Sequence, residues 1–308
     1  MQGAGAGSDM NETGSRVLVI GYGEIGHAME YLLSARHRMQ FWDIRPVEGH
    51  DPVELEPAVA EADLVLFCVP VIPLDELATR IRPHLSDDCI SLTFAKGLDE
   101  RGRPAPAIFA DVYAGTRHYG VLYGPMIAEE IVHGRPAFAQ VGCSSADIYA
   151  RIAMFFGDTT LLLEYSDDIP GIAWSSLLKN VYAILFGAAD ELGLGDNVRG
   201  YLAVAAIREM ADIVVSMGGQ AGTVLNLAGL GDLVTTATSA SSHHHGIGQQ
   251  LARGSQHGIS GEGTHTLAMV EAHRLFDAGA FPLFSLVRDM VRQPAAAAQR
   301  LQAWLQDL

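Results

Sequence analysis

Lys179 is the residue most suited to chemistry, because it stands beside Asn180 inside a long apolar stretch, residues 172–197. Apolar residues recur there at helical spacing and also occupy the remaining faces, which predicts a helix buried nearly all round. A lysine in such a helix must reach water, pair with an acid or have its charged form destabilised. A general acid/base is one interpretation, and a lysine that extends its ammonium to the surface is the alternative.

Lysine is rare in this chain, since the 20 Lys and Arg residues include only Lys96 and Lys179. Because arginine otherwise supplies the positive charge, the two lysines mark positions that need a compact, titratable ammonium. Lys96 follows the apolar run 89–95 and therefore stands at the carboxyl end of a predicted strand, where open α/β sheets bind ligands. An ordinary loop cation is the alternative for Lys96.

A glycine-rich turn follows the first apolar run, residues 17–20, and leads into an amphipathic stretch. Strand, GxGxxG and helix in this order are typical of a dinucleotide-binding loop, whose helix N-terminus offers N–H groups to the phosphates. A tight turn without a ligand is the alternative, and Glu24 either repels a pyrophosphate or stabilises the first helical turn. The predicted cofactor-binding residues of this loop are Gly21, Tyr22, Gly23, Glu24, Ile25 and Gly26.

Asp43 ends the second predicted strand, seventeen positions after Gly26. A carboxylate at this point binds the ribose hydroxyls of NAD and disfavours the 2′-phosphate of NADP. Arg45 follows closely and has the opposite preference. We therefore predict NAD as the cofactor, with NADP as the alternative.

Short apolar runs alternate with helical patterns through the first half of the chain and give way to long helices in the second half. This pattern predicts an α/β Rossmann-type dinucleotide-binding domain at 16–168, after a disordered tail at 1–15. An all-α domain for substrate binding and dimerisation is expected at 169–308. Its helices are predicted at 197–217, 270–277 and 285–293 and after Pro294, whereas 226–239 is predicted as loop-rich and 241–248 as a polar turn.

The net charge of −16 and the pI near 5.0 argue against nucleic acid or an anionic membrane as a partner. An anionic small-molecule substrate would need a local cluster of positive groups. The isolated Cys68, Cys89 and Cys143 form no disulfide framework, which favours a reducing compartment and a cytoplasmic location. No apolar run is expected to span a membrane, and the consecutive histidines 243–245 cannot all face one metal, so no metal site is predicted.

Several motifs occur in order along residues 17–271. They are the glycine loop, Phe67-Cys-Val-Pro70, Ala95-Lys-Gly-Leu98, Gly124-Pro125, Leu178-Lys-Asn-Val181, Gly193-Leu-Gly-Asp-Asn197, Leu227-Ala-Gly-Leu-Gly-Asp-Leu-Val-Thr235 and Glu262-Gly263. Together they resemble the NAD(P)-dependent glycerol-3-phosphate dehydrogenase family of the bacterial type. The resemblance implies a dimeric enzyme of glycerophospholipid metabolism that transfers a hydride between nicotinamide and a small secondary alcohol or ketone.

The resemblance also implies roles for particular residues. Lys179 is similar to the family's general acid/base, and Glu262 to an acid near the nicotinamide. The residues implied around the reacting end of the substrate are Lys96, Asn180, Asp232 and Thr236, and those implied to border the cofactor include Val69 and Pro70. A lysine ammonium within hydrogen-bond reach can protonate the alkoxide that hydride transfer builds.

One segment departs from the family pattern. Where the family has an arginine and an asparagine that grip the substrate phosphate, this chain has His243 and His244. A neutral imidazole cannot replace a bidentate guanidinium, and losing one charged hydrogen bond costs about 1.5–3 kcal/mol. Protonated histidines would bind phosphate better as the pH falls from about 8 to 6, and Arg199 or Arg253 is the alternative holder. The predicted substrate pair is glycerol 3-phosphate and dihydroxyacetone phosphate or a relative. The alternatives are a different, non-phosphorylated hydroxy compound and a non-catalytic NAD-binding sensor.

Overall fold

The computed structural model describes residues 14–239 and 242–308, and in it the apolar runs of the first half form one seven-stranded sheet. The strands are β1 (Arg16–Ile20), β2 (Arg38–Trp42), β3 (Leu64–Phe67), β4 (Ile90–Thr93), β5 (His118–Tyr123), β6 (Ala137–Cys143) and β7 (Leu161–Ser166). They lie in the order β2-β1-β3-β4-β5-β6-β7, and only the β5–β6 pair is antiparallel. The carboxyl ends of β1, β3 and β4 therefore meet at one edge of the sheet.

Six helices cover the two faces of this sheet. They are α1 (Glu24–Leu33), α2 (Leu55–Glu61), α3 (Leu74–Ile81), α4 (Ala105–Tyr113), α5 (Ala128–Val132) and α6 (Ala146–Phe155). Alternate side chains of β1 enter different cores: Val17 and Val19 pack with α1 and α6, whereas Leu18 and Ile20 pack with α2, α3 and α4. Both faces are buried, which explains why the strands are continuous apolar runs.

The second half is helical, and the predicted fold class is confirmed. Its helices are α7 (Ile169–Glu191), α8 (Asp196–Ser216), α9 (Asp232–Thr238), α10 (His243–Ala252), α11 (Glu262–His273), α12 (Pro282–Arg292) and α13 (Ala297–Gln306). Every residue of α7 from Gly171 to Ala189 is buried. By length and composition α7 could cross a membrane, so the expectation that no apolar run approaches that length is wrong. The most apolar window of α7 is entirely buried inside the protein, as in the core helix of a soluble protein.

Two predictions for the second half are wrong. The segment predicted as loop-rich forms a π-helical turn, Leu227–Gly231, followed directly by α9. In the segment predicted as a polar turn, residues 243–248 form the start of α10, and residue 241 lies outside the described part of the chain. The helix predicted at 270–277 begins earlier, at Glu262. Two glycines in these segments, Gly248 and Gly263, lie close to the backbone of α7.

Helix α10 packs against α7 through one glycine on each helix, Gly187 on α7 and Gly248 on α10. A Cβ atom on Gly187 of α7 would lie 1.9 Å from the His245 carbonyl oxygen, and one on Gly248 would lie 2.0 Å from the Ile184 carbonyl oxygen. Only glycine allows backbones to approach so closely. This packing places the N-terminus of α10 beside the part of α7 that carries Lys179.

Asp168 joins the sheet to the helices between the end of β7 and the start of α7. Its Oδ1 accepts the Gly171 N–H at 3.0 Å, which caps α7, and its Oδ2 accepts the Gln220 N–H at 2.8 Å and the Thr223 hydroxyl at 2.6 Å. The change from sheet to helices falls here, and we propose 16–168 and 169–308 as the two domains. Residues 1–13 of the predicted disordered tail lie outside the described part of the chain.

Candidate active site

A cavity of about 960 Å³ opens where the carboxyl edge of the sheet faces α7, α9 and α10. It brings together residues from the glycine loop, from the segments after β4 and β5 and from four helices of the second half. The lining residues are Gly23, Glu24, Ile25, His27, Lys96, Met126, Ile127, Ala128, Glu129, Val132, Lys179, Asn180, Asp232, Thr235, Thr236, Ser239, Ser242, His244 and Glu262.

The Lys179 ammonium is held by two residues of α9. Lys179 Nζ donates to Thr236 Oγ1 at 2.7 Å and lies 3.1 Å from Asp232 Oδ1. Asp232 and Thr236 are four positions apart on one helix and therefore share a face. An ammonium has three N–H donors, so one remains for a ligand in the cavity.

Asp232 also binds the second lysine, because Lys96 Nζ lies 2.7 Å from its other oxygen, Oδ2. The carboxylate is buried and bridges the two ammonium groups. Burial alone would raise the pKa of Asp232, but Lys179 and Lys96 outweigh burial and hold it below its usual value. Asp232 is therefore ionised at neutral pH.

The pKa of Lys179 is lowered from 10.5 to about 8. Burial is the main cause, and the neighbouring Lys96 adds to it, whereas Asp232 acts in the opposite direction. A group that titrates near neutral pH can both give and accept a proton during a reaction. Lys179 is thus no surface-seeking lysine, since its side chain is only 8% exposed and faces an acid.

Asn180 and Glu262 meet beside the lysines. Asn180 Nδ2 donates to Glu262 Oε2 at 2.9 Å, and burial raises the pKa of Glu262, with Lys96 and Lys179 partly offsetting that effect. Asn180 Oδ1 is buried and has no hydrogen-bond partner among the described residues. An unsatisfied buried acceptor indicates a place for a ligand donor.

The glycine loop has the geometry that a dinucleotide needs. Gly21 has a φ of +94°, and a Cβ atom there would lie 2.6 Å from Val69 Cγ1. A Cβ atom on Gly26 would lie 2.5 Å from the Gly21 carbonyl oxygen. Within residues 14–239 and 242–308 no side chain caps α1, which begins at Glu24, so its first N–H groups can bind phosphate. Glu24 therefore stands in the first helical turn, the second of the two predicted placements.

Asp43 is tied to this loop at the end of β2. Its Oδ2 accepts the Tyr22 N–H at 2.8 Å and its Oδ1 accepts the Arg45 N–H at 3.2 Å. Four predicted cofactor residues lie outside the cavity lining. Tyr22 is in the glycine loop, Asp43 follows β2, and Val69 and Pro70 follow β3. The cavity therefore joins the glycine loop, through Gly23, Glu24 and Ile25, to the two lysines.

Only one of the two predicted substrate histidines lines the cavity. His244 does, and its Nε2 accepts the Gly263 N–H at 3.1 Å. Burial lowers the pKa of His244 from 6.5 to about 3, and the nearby Lys179 adds to this effect. The exposed His243 turns to the Ser260 carbonyl oxygen at 2.6 Å and does not line the cavity. His244 therefore stays neutral between pH 6 and 8, contrary to the expected protonation.

The alternative phosphate holders are occupied elsewhere. Arg199 pairs with Asp190 at 2.5 Å, and Arg253 pairs with Glu191 at 2.7 Å. Neither arginine lines the cavity. Among residues 14–239 and 242–308, no group of three or more His, Cys, Asp or Glu could hold a metal ion.

The predicted site residues did not include the cavity wall formed after β5, which contains Met126 and Glu129. The signal was present, because Gly124-Pro125 ends a strand at the ligand-binding edge of the sheet. The residues after such a turn face the same edge as Lys96. Reasoning from the sequence also left out His27, Thr235 and Ser242, which helical periodicity alone could not orient.

Two family models match the chain: the N-terminus of NAD-dependent glycerol-3-phosphate dehydrogenase over residues 50–148, and its C-terminus over residues 168–301. A glycerol-3-phosphate dehydrogenase (NAD(P)+) of Agrobacterium fabrum is 33% identical over 269 residues, covering 80% of this chain and 82% of that protein. The enzyme of the same name from Deinococcus radiodurans is 33% identical over 254 residues, covering 80% of this chain and 76% of that protein.

The fold has a close match among solved structures. The crystal structure of glycerol-3-phosphate dehydrogenase from Coxiella burnetii superposes with a TM-score of 0.83 at 23% identity, covering 95% of this chain and 99% of that one. A ketopantoate reductase from Ralstonia eutropha has a TM-score of 0.55 at 20% identity. Similarities at this level of identity describe the fold alone.

Proposed function

We propose that this protein, which belongs to the NAD-dependent glycerol-3-phosphate dehydrogenase family, interconverts a small secondary alcohol and its ketone with Lys179 as the general acid/base. It is an NAD(P)-dependent oxidoreductase acting on CH–OH groups. The proposed pair is glycerol 3-phosphate and dihydroxyacetone phosphate or a relative. The observation that carries the proposal is the buried Lys179 ammonium, oriented by Asp232 and Thr236 with one N–H left over.

The chain offers a fitting place for a dinucleotide. The free N–H groups at the start of α1 suit the pyrophosphate, and Asp43 at the end of β2 suits the ribose hydroxyls. The unpartnered Asn180 Oδ1, with Glu262 beside it, suits the carboxamide end. When bound, the nicotinamide supplies the hydride in reduction and takes it up in oxidation.

The lysines supply the rest of the reaction. As the carbonyl carbon gains a hydride, its oxygen gains negative charge, and the free Lys179 N–H transfers a proton to that oxygen. In the reverse direction neutral Lys179 removes the hydroxyl proton. Lys96, anchored by Asp232 at 2.7 Å, retains further N–H donors that stabilise the same oxygen. A sensor without turnover would need no buried lysine that titrates near neutral pH, so the sensor is the weaker candidate.

The pH dependence of both directions tests the role of Lys179. Reduction needs the protonated lysine, so kcat/KM for the ketone is expected to fall as the pH rises above about 8, the pKa of Lys179. Oxidation needs the neutral form and is expected to rise through the same pH range. Steady-state rates at saturating cofactor, followed by nicotinamide absorbance, measure both limbs. If the rates of reduction and oxidation instead changed with pH in the same direction, Lys179 would not be the group that transfers the proton.

Cofactor preference tests the role of Asp43. We expect NADH to bind at least about tenfold more tightly than NADPH, because Asp43 would repel a 2′-phosphate. Fluorescence titration of the reduced cofactors measures this ratio, and Asp43→Ser should narrow it. Arg45→Ala is the control, because it removes the nearby positive charge that would favour the 2′-phosphate of NADPH. Tighter binding of NADPH to the wild-type protein would reject the assignment.

We further propose that the protein is a cytoplasmic homodimer that acts in glycerophospholipid metabolism. Its molar mass in solution tests whether it is a dimer. Three free thiols at Cys68, Cys89 and Cys143 suit a reducing compartment. The acidic chain, with a net charge of −16, suits a partner that is neither nucleic acid nor an anionic membrane.

A further inference from the structure

Two buried polar side chains lie opposite each other where β5 pairs with β6. Tyr123 and Gln140 are partners in the antiparallel register of these strands, and they are only 2% and 3% exposed. Residues directly opposite in an antiparallel pair point to the same face of the sheet. A buried polar group costs free energy unless it is hydrogen-bonded, so the partners of these two side chains show what the pair does.

Tyr123 anchors the segment after β4 that carries Lys96. Its hydroxyl donates to the Ala95 carbonyl oxygen at 2.7 Å. Ala95 directly precedes Lys96, so this bond fixes the backbone from which the Lys96 side chain starts. The ammonium of Lys96 in turn lies 2.7 Å from Asp232 Oδ2. Strand β5 therefore holds one end of the ion pair between Lys96 and Asp232.

Gln140 anchors the segment that carries Asp232. Its Oε1 accepts the Ala228 N–H at 3.1 Å. Ala228 is fully buried in the π-helical turn, Leu227–Gly231, which ends directly before Asp232. Strand β6 therefore holds the other end of the same ion pair.

The π-helical turn decides which face of α9 meets Lys179. The Asn226 carbonyl oxygen accepts the Gly231 N–H at 3.1 Å, five positions along the chain, so this turn contains one residue more than an α-helical turn. Successive helical residues are about 100° apart, so one residue more or fewer would rotate α9 by that angle. Asp232 and Thr236 would then turn away from Lys179.

We propose that Tyr123 and Gln140 are positioning residues, which hold the Lys96 segment and the π-helical turn so that Asp232 bridges Lys96 and Lys179. The proposal rests on the proposed function, because it concerns the same dehydrogenase site. Neither side chain lines the cavity. Both act through the backbone of the segments that they hold.

The rarity of lysine makes this arrangement measurable without turnover. The chain contains only Lys96 and Lys179, so protein whose lysines carry ¹³C at Cε gives two lysine signals by NMR. Lys96→Arg assigns them, because its remaining signal is that of Lys179. The pKa of Lys179, about 8, depends on burial, on Asp232 and Lys96 and less on Glu262, and His244 also lies nearby. The pH midpoint of the Lys179 signal therefore reports the positions of its charged neighbours.

Gln140→Met removes the acceptor for Ala228 and keeps an unbranched side chain of similar length. Asp232 is then less firmly held and opposes the effect of burial less, so the Lys179 midpoint is expected to fall by about 0.3 pH units or more. The melting temperature, measured by calorimetry, shows whether the variant is folded.

Tyr123→Phe removes only a hydroxyl and is the milder variant. Lys96 is then less firmly held and repels Lys179 less, so the Lys179 midpoint is expected to rise by about 0.3 pH units or more. General loosening of the site would hydrate Lys179 and raise its midpoint in both variants. An unchanged midpoint in either variant, or a rise in both, would overturn the proposal.

Tyr113→Phe is the matched control. It removes the hydroxyl of another buried tyrosine, which bonds Ser91 Oγ at 2.8 Å in the core between the sheet and α2, α3 and α4. We expect it to lower the melting temperature as Tyr123→Phe does, because one buried hydrogen bond is lost in each. The Lys179 midpoint is expected to stay within about 0.1 pH units of wild type, and kcat within about twofold, because no charge near the site moves.

Reduction of dihydroxyacetone phosphate separates this proposal from the proposed function. We expect kcat to fall about tenfold or more in Gln140→Met, with the affinity for reduced cofactor within about twofold of wild type, because a small displacement of the acid/base slows the reaction. If the midpoints move as expected but the wild-type protein reduces no ketone, the positioning roles stand and the proposed reaction fails. If the wild-type protein reduces the ketone and the midpoints do not move, the positioning roles fail and the reaction stands.

Discussion

Replacing Lys179 with Met is expected to lower turnover by about 10²–10⁴-fold, the usual contribution of a positioned acid/base. Met has a similar volume and is apolar, so it suits a residue surrounded by the buried side chains of α7. Asp232 keeps its second partner, Lys96, at 2.7 Å and is not left as an unpaired buried charge. The affinity for reduced cofactor, measured by fluorescence titration, is therefore expected to stay within a few-fold of wild type.

Lys179→Arg is the matched control for charge. A guanidinium keeps the positive charge beside Asp232 but does not release its proton at neutral pH. We expect this variant to be nearly as inactive as Lys179→Met while retaining cofactor affinity and the melting temperature. Turnover of Lys179→Met within a few-fold of wild type would mean that the lysine serves packing alone. An active Lys179→Arg variant would instead show that only its charge matters.

The sheet could be predicted from the sequence because its strands are buried on both faces. Such strands are continuous apolar runs between turn residues, and the glycine loop after β1 marks the ligand edge without any structure. Helices α9 and α10 could not be predicted in this way. The start of α10 contains three histidines and two glycines, which are poor helix formers, and its packing on α7 through Gly187 and Gly248 overrides that propensity.

The site around Lys179 could be predicted only in part from the sequence. Burial and the rarity of lysine marked Lys179, but its partner Asp232 lies 53 positions away and came only from a family resemblance. The orientation of His243 and His244 could not be predicted from the sequence. Successive helical residues are about 100° apart, so the start of α10 decides that His244 faces the cavity and His243 does not. A segment interpreted as a turn gave no basis for that choice.

Asp232→Asn is expected to produce the second large effect, on stability as well as on activity. Asp232 is 4% exposed and lies 2.7 Å from Lys96 Nζ and 3.1 Å from Lys179 Nζ. The neutral amide would leave two neighbouring ammonium groups without the carboxylate that bridges them. Removing one partner from a buried ion pair costs about 3–5 kcal/mol, so the free energy of unfolding near pH 6 is expected to fall by about that amount. Urea unfolding measures the change.

The pH dependence of this loss follows from the pKa of Lys179. Burial already lowers that pKa to about 8 in the folded protein, and Asp232 is the neighbour that opposes the shift, so the variant lowers it further. In the unfolded chain Lys179 binds its proton more tightly than in either folded protein. The stability of each protein therefore rises with pH above the pKa that Lys179 has in its folded state, and this rise begins at a lower pH in the variant. The deficit of the variant should therefore shrink as the pH approaches about 8, where the wild-type lysine also loses its proton. Because Lys179 has a lower pKa in the variant, kcat/KM for ketone reduction should begin to fall at a pH below about 8.

Asp190→Asn is the matched control, because Asp190 also joins two partners from other helices, Arg199 at 2.5 Å and His245 at 2.8 Å. Asp190 is partly exposed at the far end of α7 and does not line the cavity. Its substitution is expected to cost about 1 kcal/mol or less and to leave the pH limb of reduction in place. If Asp190→Asn and Asp232→Asn shift the limb equally, the effect comes from the net charge of the protein. A shift confined to Asp232→Asn means that the carboxylate between the lysines sets the proton affinity of Lys179.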